Sequence, residues 1–534
     1  MKNNPIVTND NKSEIKNIFP MMNREFYSPN RKENLTYITK NFDYGSIRII
    51  NRKLIQMILP KGLKILKRFV GSISLRYANG DYFIVEVFSD SISIKKLDID
   101  KSIKSEDIIF DNLIEFSNVK KSRDFISNTI LIEKEELVVF DFESSEWLSF
   151  ENTLISNLRT LRYLAVINNE VVYSIIFHDK NVIKSYINEF CIEQFSITQK
   201  RDEKITILSL TSNKIIYLVE TIKKNIVVLL NVTNKVSLQL SGVVRFFYKG
   251  SNNSQQILCT SEPFSNFNLY KLSPENKLVS FFTEVYKSER GDCRLIERNL
   301  NNKKTSIAWY NIKNKKSDTP LVIHLHGGPH DYWRPCHNYY LEELFRQGIE
   351  IFVPNYTGSS VSKRDLFGEY YQWGETEIIE ILDLIQQNNE RKIFLSGESY
   401  GAYMIWKIIK NYFVKVEGCV LISPFYSINS LYNSSGSIVK RTLLNHNKRK
   451  FNFSEKAMVD GNKKKQVNSD ILLFHGVNDN VIPISESKKI LTYLKNYITC
   501  NGRVETEFLK NMGHSISGVE KKITSKVLTM ISTH

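Results

Sequence analysis

Three side-chain types, a hydroxyl, a carboxylate and an imidazole, occur in this chain in an order and setting that could do acyl-transfer chemistry. Ser399 lies in Gly397-Glu398-Ser399-Tyr400-Gly401, Asp479 in His475-Gly476-Val477-Asn478-Asp479-Asn480-Val481-Ile482-Pro483, and His514 in Met512-Gly513-His514. A serine hydroxyl is a poor nucleophile at neutral pH, so a base must take its proton and a carboxylate must hold that base in the right tautomer. His514 suits the first task and Asp479 the second. The tetrahedral intermediate also needs hydrogen-bond donors for its oxyanion. The N–H of Tyr400, directly after the serine, is one candidate, and the N–H of Gly328 in His326-Gly327-Gly328-Pro329 is the other. Two consecutive glycines let that backbone approach a substrate closely.

A G-x-S-x-G run alone arises by chance in loops, so the reading depends on the elements around it. Ile393–Leu395 is a short apolar strand and 402–410 a helix, which puts Ser399 on the tight strand-to-helix turn that a nucleophile elbow requires. The flanking glycines have a steric reason, since side chains there would collide with neighbouring backbone. Further apolar strands are expected at Leu321–Leu325, 349–354, 419–422 and 471–474, with a strand at 505–509 and helices at 375–387 and Ser485–Tyr497. In the 375–387 helix, Glu377, Glu380 and Asp383 form the polar positions among isoleucines and leucines. Strands apolar throughout and alternating with helices imply a parallel sheet covered on both faces. Asp479 follows one such strand and His514 another, so both fall on loops at the sheet's carboxyl edge.

The first half of the chain has a different pattern. From about residue 45 to 285 short β-branched and aromatic runs follow one another with turn residues between them, for example 205–210, 215–220, 226–232 and 236–240. Asn79-Gly80 between two such runs is a hairpin signal. This is too much strand for one sandwich. At ~40 residues per four-stranded blade it predicts a propeller of about six or seven blades, with stacked sandwiches as the other solution. The expected organisation is therefore an extension at 1–40, an all-β domain at 41–287 and an α/β domain at 288–534.

Composition narrows the class. The chain has 534 residues with 42% hydrophobic and 24% charged side chains, 22 glycines and 12 prolines, which excludes collagen-like and wholly disordered chains. The formal charge of +16 is spread over both halves and reads as diffuse solvated charge rather than a nucleic-acid site. Its densest stretch, Lys440 to Lys465, suggests a preference for acidic peptides. Six scattered cysteines form no metal-ligand spacing, so no metal or other cofactor is expected, and a reducing compartment is. With no secretory leader and no apolar run of about 20 residues, the expected setting is cytoplasmic, without a membrane.

Taken together, His326 to Pro329, Pro354-Asn355-Tyr356-Thr357-Gly358-Ser359, Trp373-Gly374, Gly397 to Met404, the His475–Pro483 segment and Gly513-His514 resemble the prolyl oligopeptidase family of serine peptidases. The H-G-G-P-H and P-N-Y-x-G-S forms are most similar to its acylaminoacyl-peptidase-like branch. The resemblance covers about 289 to 534 and implies an α/β-hydrolase fold, a doubly wound, mostly parallel sheet, with an N-terminal β-propeller capping it. It also implies a Ser399–Asp479–His514 triad and acyl-enzyme cleavage of oligopeptides or N-blocked peptides, folded proteins being excluded by size. Three departures stand out. Thr357 replaces a common arginine, so any contact that arginine makes is lost; Glu398 replaces a frequent glycine; and the propeller segment is short.

Tyr332, Trp333 and Tyr356 sit beside the oxyanion motif and could bind substrate or simply pack. Trp406 reads as core, His324 as a strand residue without a catalytic part, and Lys463-Lys464-Lys465 as a solvated loop. The rival readings are a carboxylesterase or other acyl hydrolase on the same triad, a specialised leader-peptide processing enzyme, and a vestigial hydrolase acting as a binding module. The expected partner is a peptide substrate, and self-association is left open.

Overall fold

Two compact units divide the chain, Met1–Val285 and Tyr286–His534. The computed structural model describes residues 291–361, 374–436, 439, 440, 443, 465–510, 512–516 and 519–534 of the second unit, together with the strands between residues 46 and 283 of the first and most of their later connections. The expected extension at 1–40, Trp373 and most of the basic 440–465 segment lie outside the described residues.

The first unit is a β-propeller. Its described strands form six successive antiparallel sheets, the first of three strands and the other five of four, each built from strands consecutive in sequence. The expected hairpin pairs Ser72–Ala78 with Asp81–Val87, with Ala78 opposite Asp81. The four runs singled out between 205 and 240 make one sheet, Lys204–Leu210, Lys214–Glu220, Asn225–Asn231 and Lys235–Leu240. Its central strands are buried over most of their length, which alternating half-exposed strands would not be. The reason is that, from the second sheet onward, each packs against the next. Phe83 and Ile94 meet Ile132 and Phe140 of the following sheet, Leu131 and Val139 meet Leu164 and Tyr173, Val172 and Ile183 meet Ile207 and Tyr217, and Leu218 and Val227 meet Phe247 and Leu258. Burial of apolar area between neighbouring blades, rather than one central core, holds this unit together.

The second unit is an α/β-hydrolase fold. Its strands are numbered here β1 (Gly291–Leu300), β2 (Lys303–Ile312), β3 (Leu321–Leu325), β4 (Glu350–Pro354), β5 (Ile393–Glu398), β6 (Gly418–Ile422), β7 (Asp470–Gly476) and β8 (Val504–Leu509). They form one sheet in the order β1-β2-β4-β3-β5-β6-β7-β8, antiparallel through β1, β2 and β4 and parallel from β4 onward. β3, β4, β6 and β7 are buried at every position, as strands covered on both faces must be. The helices are α1 (Tyr339–Arg346), α2 (Thr376–Gln386), α3 (Tyr400–Asn411), α4 (Ile428–Ser434), α5 (Ser485–Tyr497) and α6 (Glu520–Ser532). α3 is the most enclosed: Met404, Ile405, Trp406 and Ile408 are each at most 1% exposed, and Trp406 donates its indole N–H to Tyr426 O at 3.0 Å.

Two expectations need correcting. On α2 the polar positions are not the outer face, because Glu377 and Glu380 are 0% and 1% exposed while Ile379 is 47% exposed. Lys465 is not simply solvated. Its ammonium donates to Ile409 O and Tyr412 O at the end of α3, and burial lowers its pKa to about 8. Among the described residues no helix is long and apolar enough to cross a membrane.

Candidate active site

β5 rises through Ile393 to Glu398, and the chain turns into α3 at Ser399, whose φ of 54° and ψ of −114° lie outside the regions a serine ordinarily occupies. The strain is sustained by close packing. A Cβ on Gly397 would stand 2.6 Å from Gly401 C, and one on Gly401 would stand 2.0 Å from Leu325 O. Ser399 N–H donates to Ile422 O at 2.8 Å, which fastens the elbow to the end of β6. Ser399 is the N-cap of α3 without capping it through its side chain, so the hydroxyl stays available at the helix's positive end.

His514 faces that hydroxyl. Its Nε2 lies 3.1 Å from Ser399 Oγ, and its Nδ1 lies 2.8 Å from Asp479 Oδ2. The tautomer that satisfies both contacts has Nδ1–H donating to the carboxylate and Nε2 accepting from the serine. Asp479, whose side chain is fully buried, also accepts the N–H groups of Val481 and Ile482 at 2.9 Å each. Burial pushes its pKa up, but the hydrogen bond and charge of His514, with these two N–H groups, outweigh burial and hold it below the usual carboxylate range. The carboxylate is therefore ionised at neutral pH, as the orienting partner of an imidazole must be.

The Asp479 loop is itself held by His475, whose place in the His475–Pro483 motif carries no sequence signal of that role. His475 is 0% exposed, with Nε2 2.9 Å from Ile482 O and Nδ1 2.6 Å from Ser487 Oγ. Burial lowers its pKa, so the neutral ring donates to the carbonyl and accepts from the serine. Ser423, another non-glycine residue with positive φ (49°), donates its hydroxyl to His514 O at 3.5 Å.

The H-G-G segment runs alongside. A Cβ on Gly327 would lie 3.5 Å from Ser399 Cβ, and Gly328 adopts φ +55°, where an added Cβ would meet the Asp331 carboxylate at 2.6 Å. Tyr400 has its side chain 2% exposed and donates its hydroxyl to Glu377 Oε1, leaving its backbone N–H as the group at the helix start. His326 is buried and neutral, its pKa driven down to about 4 chiefly by burial, and it bonds Gly327 O at 2.9 Å and Ser359 Oγ at 3.1 Å.

The three aromatic candidates fare differently. Tyr356 is 1% exposed, its ring stacked on His326 at 4.3 Å and its hydroxyl donating to His326 O at 2.7 Å. Its side chain is thus enclosed, which favours packing over substrate binding, the two readings open for it from sequence. Tyr332 and Trp333 are half-buried, and the Trp333 ring meets His324 edge-on. His324 itself is enclosed between Ser396 and Tyr340, and burial takes its pKa to about 3. Glu398 is half-buried beside the serine rather than freely solvated, within electrostatic reach of His514 and Glu520. Among the described residues no group of three or more His, Cys, Asp or Glu side chains is disposed to hold a metal ion.

Residues 338–531 match the model of the prolyl oligopeptidase family. Over 238 residues the chain is 23% identical to the acylamino-acid-releasing enzyme of Rattus norvegicus, an alignment covering 41% of this chain and 32% of that one. The chain thus spans about a third of the length of the curated relatives it matches. Among solved structures, an acylaminoacyl peptidase in complex with Z-Gly-Gly-Phe-chloromethyl ketone superposes with a TM-score of 0.62 at 13% identity, covering 92% of this chain and 88% of that one. The acylaminoacyl peptidase of Pyrococcus horikoshii gives 0.60 at 13% identity, covering 91% and 85%. At such identity the superpositions speak to fold, and the family match is confined to residues 338–531. Over residues 338–531 the chain thus matches the prolyl oligopeptidase family, and it is similar to acylaminoacyl-peptidase-like proteins.

Proposed function

We propose that the chain is a serine peptidase that cleaves oligopeptides or N-blocked peptides through an acyl-enzyme, with Ser399 as nucleophile, His514 as general base and acid, and Asp479 as its orienting carboxylate. The observation that carries this reading is the hydrogen-bonded series Ser399 Oγ, His514 Nε2, His514 Nδ1, Asp479 Oδ2, built on a strained serine.

In the first half-reaction Ser399 Oγ attacks the scissile carbonyl carbon while its proton passes to His514 Nε2. The carbonyl oxygen becomes an oxyanion, which the N–H groups of Tyr400 and Gly328 are proposed to receive. The C–N bond then breaks as His514 returns the proton to the leaving amine. Water repeats the sequence on the ester, its proton going to His514 and then back to Ser399 as the acid departs. Asp479 stays ionised and stabilises the imidazolium each time. Nothing in this sequence calls for a cofactor.

Cytoplasmic residence belongs to the same proposal and is supported by five free cysteines among the described residues. Turnover of an N-acyl peptide amide and of the ester with the same acyl group tests the reaction class. The proposal expects both to be cleaved; ester turnover without amide cleavage would replace it with the carboxylesterase reading.

A further inference from the structure

Two glutamates on α2 are buried at a cost that needs a return. An ionised carboxylate taken out of water is destabilising unless hydrogen bonds replace its hydration. Glu380 has such bonds through both oxygens and Glu377 through Oε1, and each leads to a different side of the candidate site. Glu377 Oε1 accepts from the Tyr400 hydroxyl and from Gly374 N at 3.2 Å. Glu380 accepts from Thr357, whose N–H lies 2.7 Å from Oε2 and whose hydroxyl donates to Oε1. Lys303, at the start of β2, donates to Thr357 Oγ1 at 2.7 Å and stands 4.0 Å from Glu380 Oε1. Thr357, which stands where the resembled family commonly has arginine, is thus bonded on one side by Glu380 and on the other by Lys303.

Thr357 is the middle of a short bracket. On either side of it, residues 355–359 clasp the loop that carries Gly328. Asn355 exchanges two hydrogen bonds with the backbone of Trp333, at 2.6 and 2.9 Å. Tyr356 and Ser359 both hold His326, as described, and Gly358 O lies 3.4 Å from His330 Nδ1. One face of the bracket therefore grips the oxyanion loop, and the other is pinned to Glu380. Meanwhile Glu377, one turn earlier on the same helix, grips the residue that follows the nucleophile.

We propose that Glu377 and Glu380 are positioning residues that set the two oxyanion donors, the N–H groups of Tyr400 and Gly328, at a fixed separation by referring both to α2. The inference rests on the reading of Ser399 as nucleophile. Donors at an oxyanion site act only at hydrogen-bond distance from where charge develops. An error of the order of 1 Å in such placement can cost about 100-fold in rate.

The test compares Thr357→Val, Thr357→Ser, Tyr400→Phe and the Thr357→Val/Tyr400→Phe double variant in the full chain. Readouts are the rate constant for labelling by a fluorophosphonate, kcat and KM on a peptide amide, and Tm. Thr357→Val and Tyr400→Phe are each expected to slow labelling and lower kcat by roughly 10- to 100-fold with KM little changed, while Thr357→Ser recovers most of the rate. Because the donors work as a pair, the double variant falls little below the worse single one. Wild-type rates in both single variants, losses that multiply in the double variant, or losses confined to KM or Tm would overturn the inference while leaving Ser399 as nucleophile. A wild-type chain that takes no label would instead remove the reading on which the inference rests, and the inference with it.

Discussion

Gly401 lies against Leu325 so closely that a Cβ at 401 would stand 2.0 Å from the Leu325 carbonyl oxygen and 2.7 Å from that of His326. The contact joins the first turn of α3 to the end of β3, and so sets the depth of the nucleophile elbow against the strand that feeds the H-G-G loop. No rotamer can relieve a clash between a Cβ and backbone. Gly401→Ala should therefore destabilise the second unit by about 3 kcal/mol, at the upper end of overpacking effects, and lose labelling at Ser399 even where the protein stays folded. Urea unfolding with parallel labelling checks this, and a fully stable, fully reactive variant would refute it.

Asp479→Asn keeps the shape of the side chain but favours the wrong His514 tautomer, with kcat expected to drop by about 10⁴-fold. The stability effect has a definite sign. The folded pKa of Asp479 is depressed, so its contribution is in place above the ordinary carboxylate pKa of about 3.9 and is lost as pH falls below it. The gap in Tm between wild type and variant should accordingly be larger at pH 7 than at pH 3. A gap independent of pH would contradict the environment assigned to Asp479.

Glu398 should show the opposite dependence. Burial raises its pKa from 4.5 to about 7, against the pull of His514 and with Glu520 adding to the rise. The folded chain thus prefers the protonated form, and the associated stability is complete below 4.5 and lost as pH climbs through about 7. Glu398→Gln mimics the protonated state. It should melt higher than wild type at pH 8 and level with it at pH 4, as a pair of thermal scans would show; equal Tm at pH 8 would exclude the raised pKa.

His475→Ala removes a ring that satisfies both Ile482 O and Ser487 Oγ in a fully buried place. Unpaired buried polar groups cost about 1–3 kcal/mol each, so a stability loss of about 3 kcal/mol is expected, with kcat reduced through Asp479 and KM little changed. Steady-state kinetics at a temperature well below the variant's Tm separates the two effects. Unaltered kcat there would mean that Asp479 is held without His475.

The proposed catalytic geometry is legible in the sequence where steric need restricts residue choice. Gly397 and Gly401 mark the elbow because nothing larger fits, and apolar runs such as Leu321–Leu325 mark β3 because both of its faces are covered. Order in the sheet was not legible, since β4 inserts between β2 and β3 through contacts distant in sequence. Helix α1 carries a weak sequence signal, although Asn338 caps it by accepting from Leu341 N. Blade boundaries left no repeated residue because any apolar alternation suffices to pack one sheet on the next. The buried carboxylates misled most: Glu377 and Glu380 look like a solvated face, and only tertiary partners such as Tyr400 and Thr357 make their burial tolerable.

Whether Ser399 is the nucleophile is decided by labelling the intact chain with a fluorophosphonate and locating the modified residue by peptide mass spectrometry. One adduct is expected, on Ser399, absent in Ser399→Ala and strongly slowed in His514→Ala. No adduct on the folded wild type, or an adduct that persists in Ser399→Ala, would contradict that role.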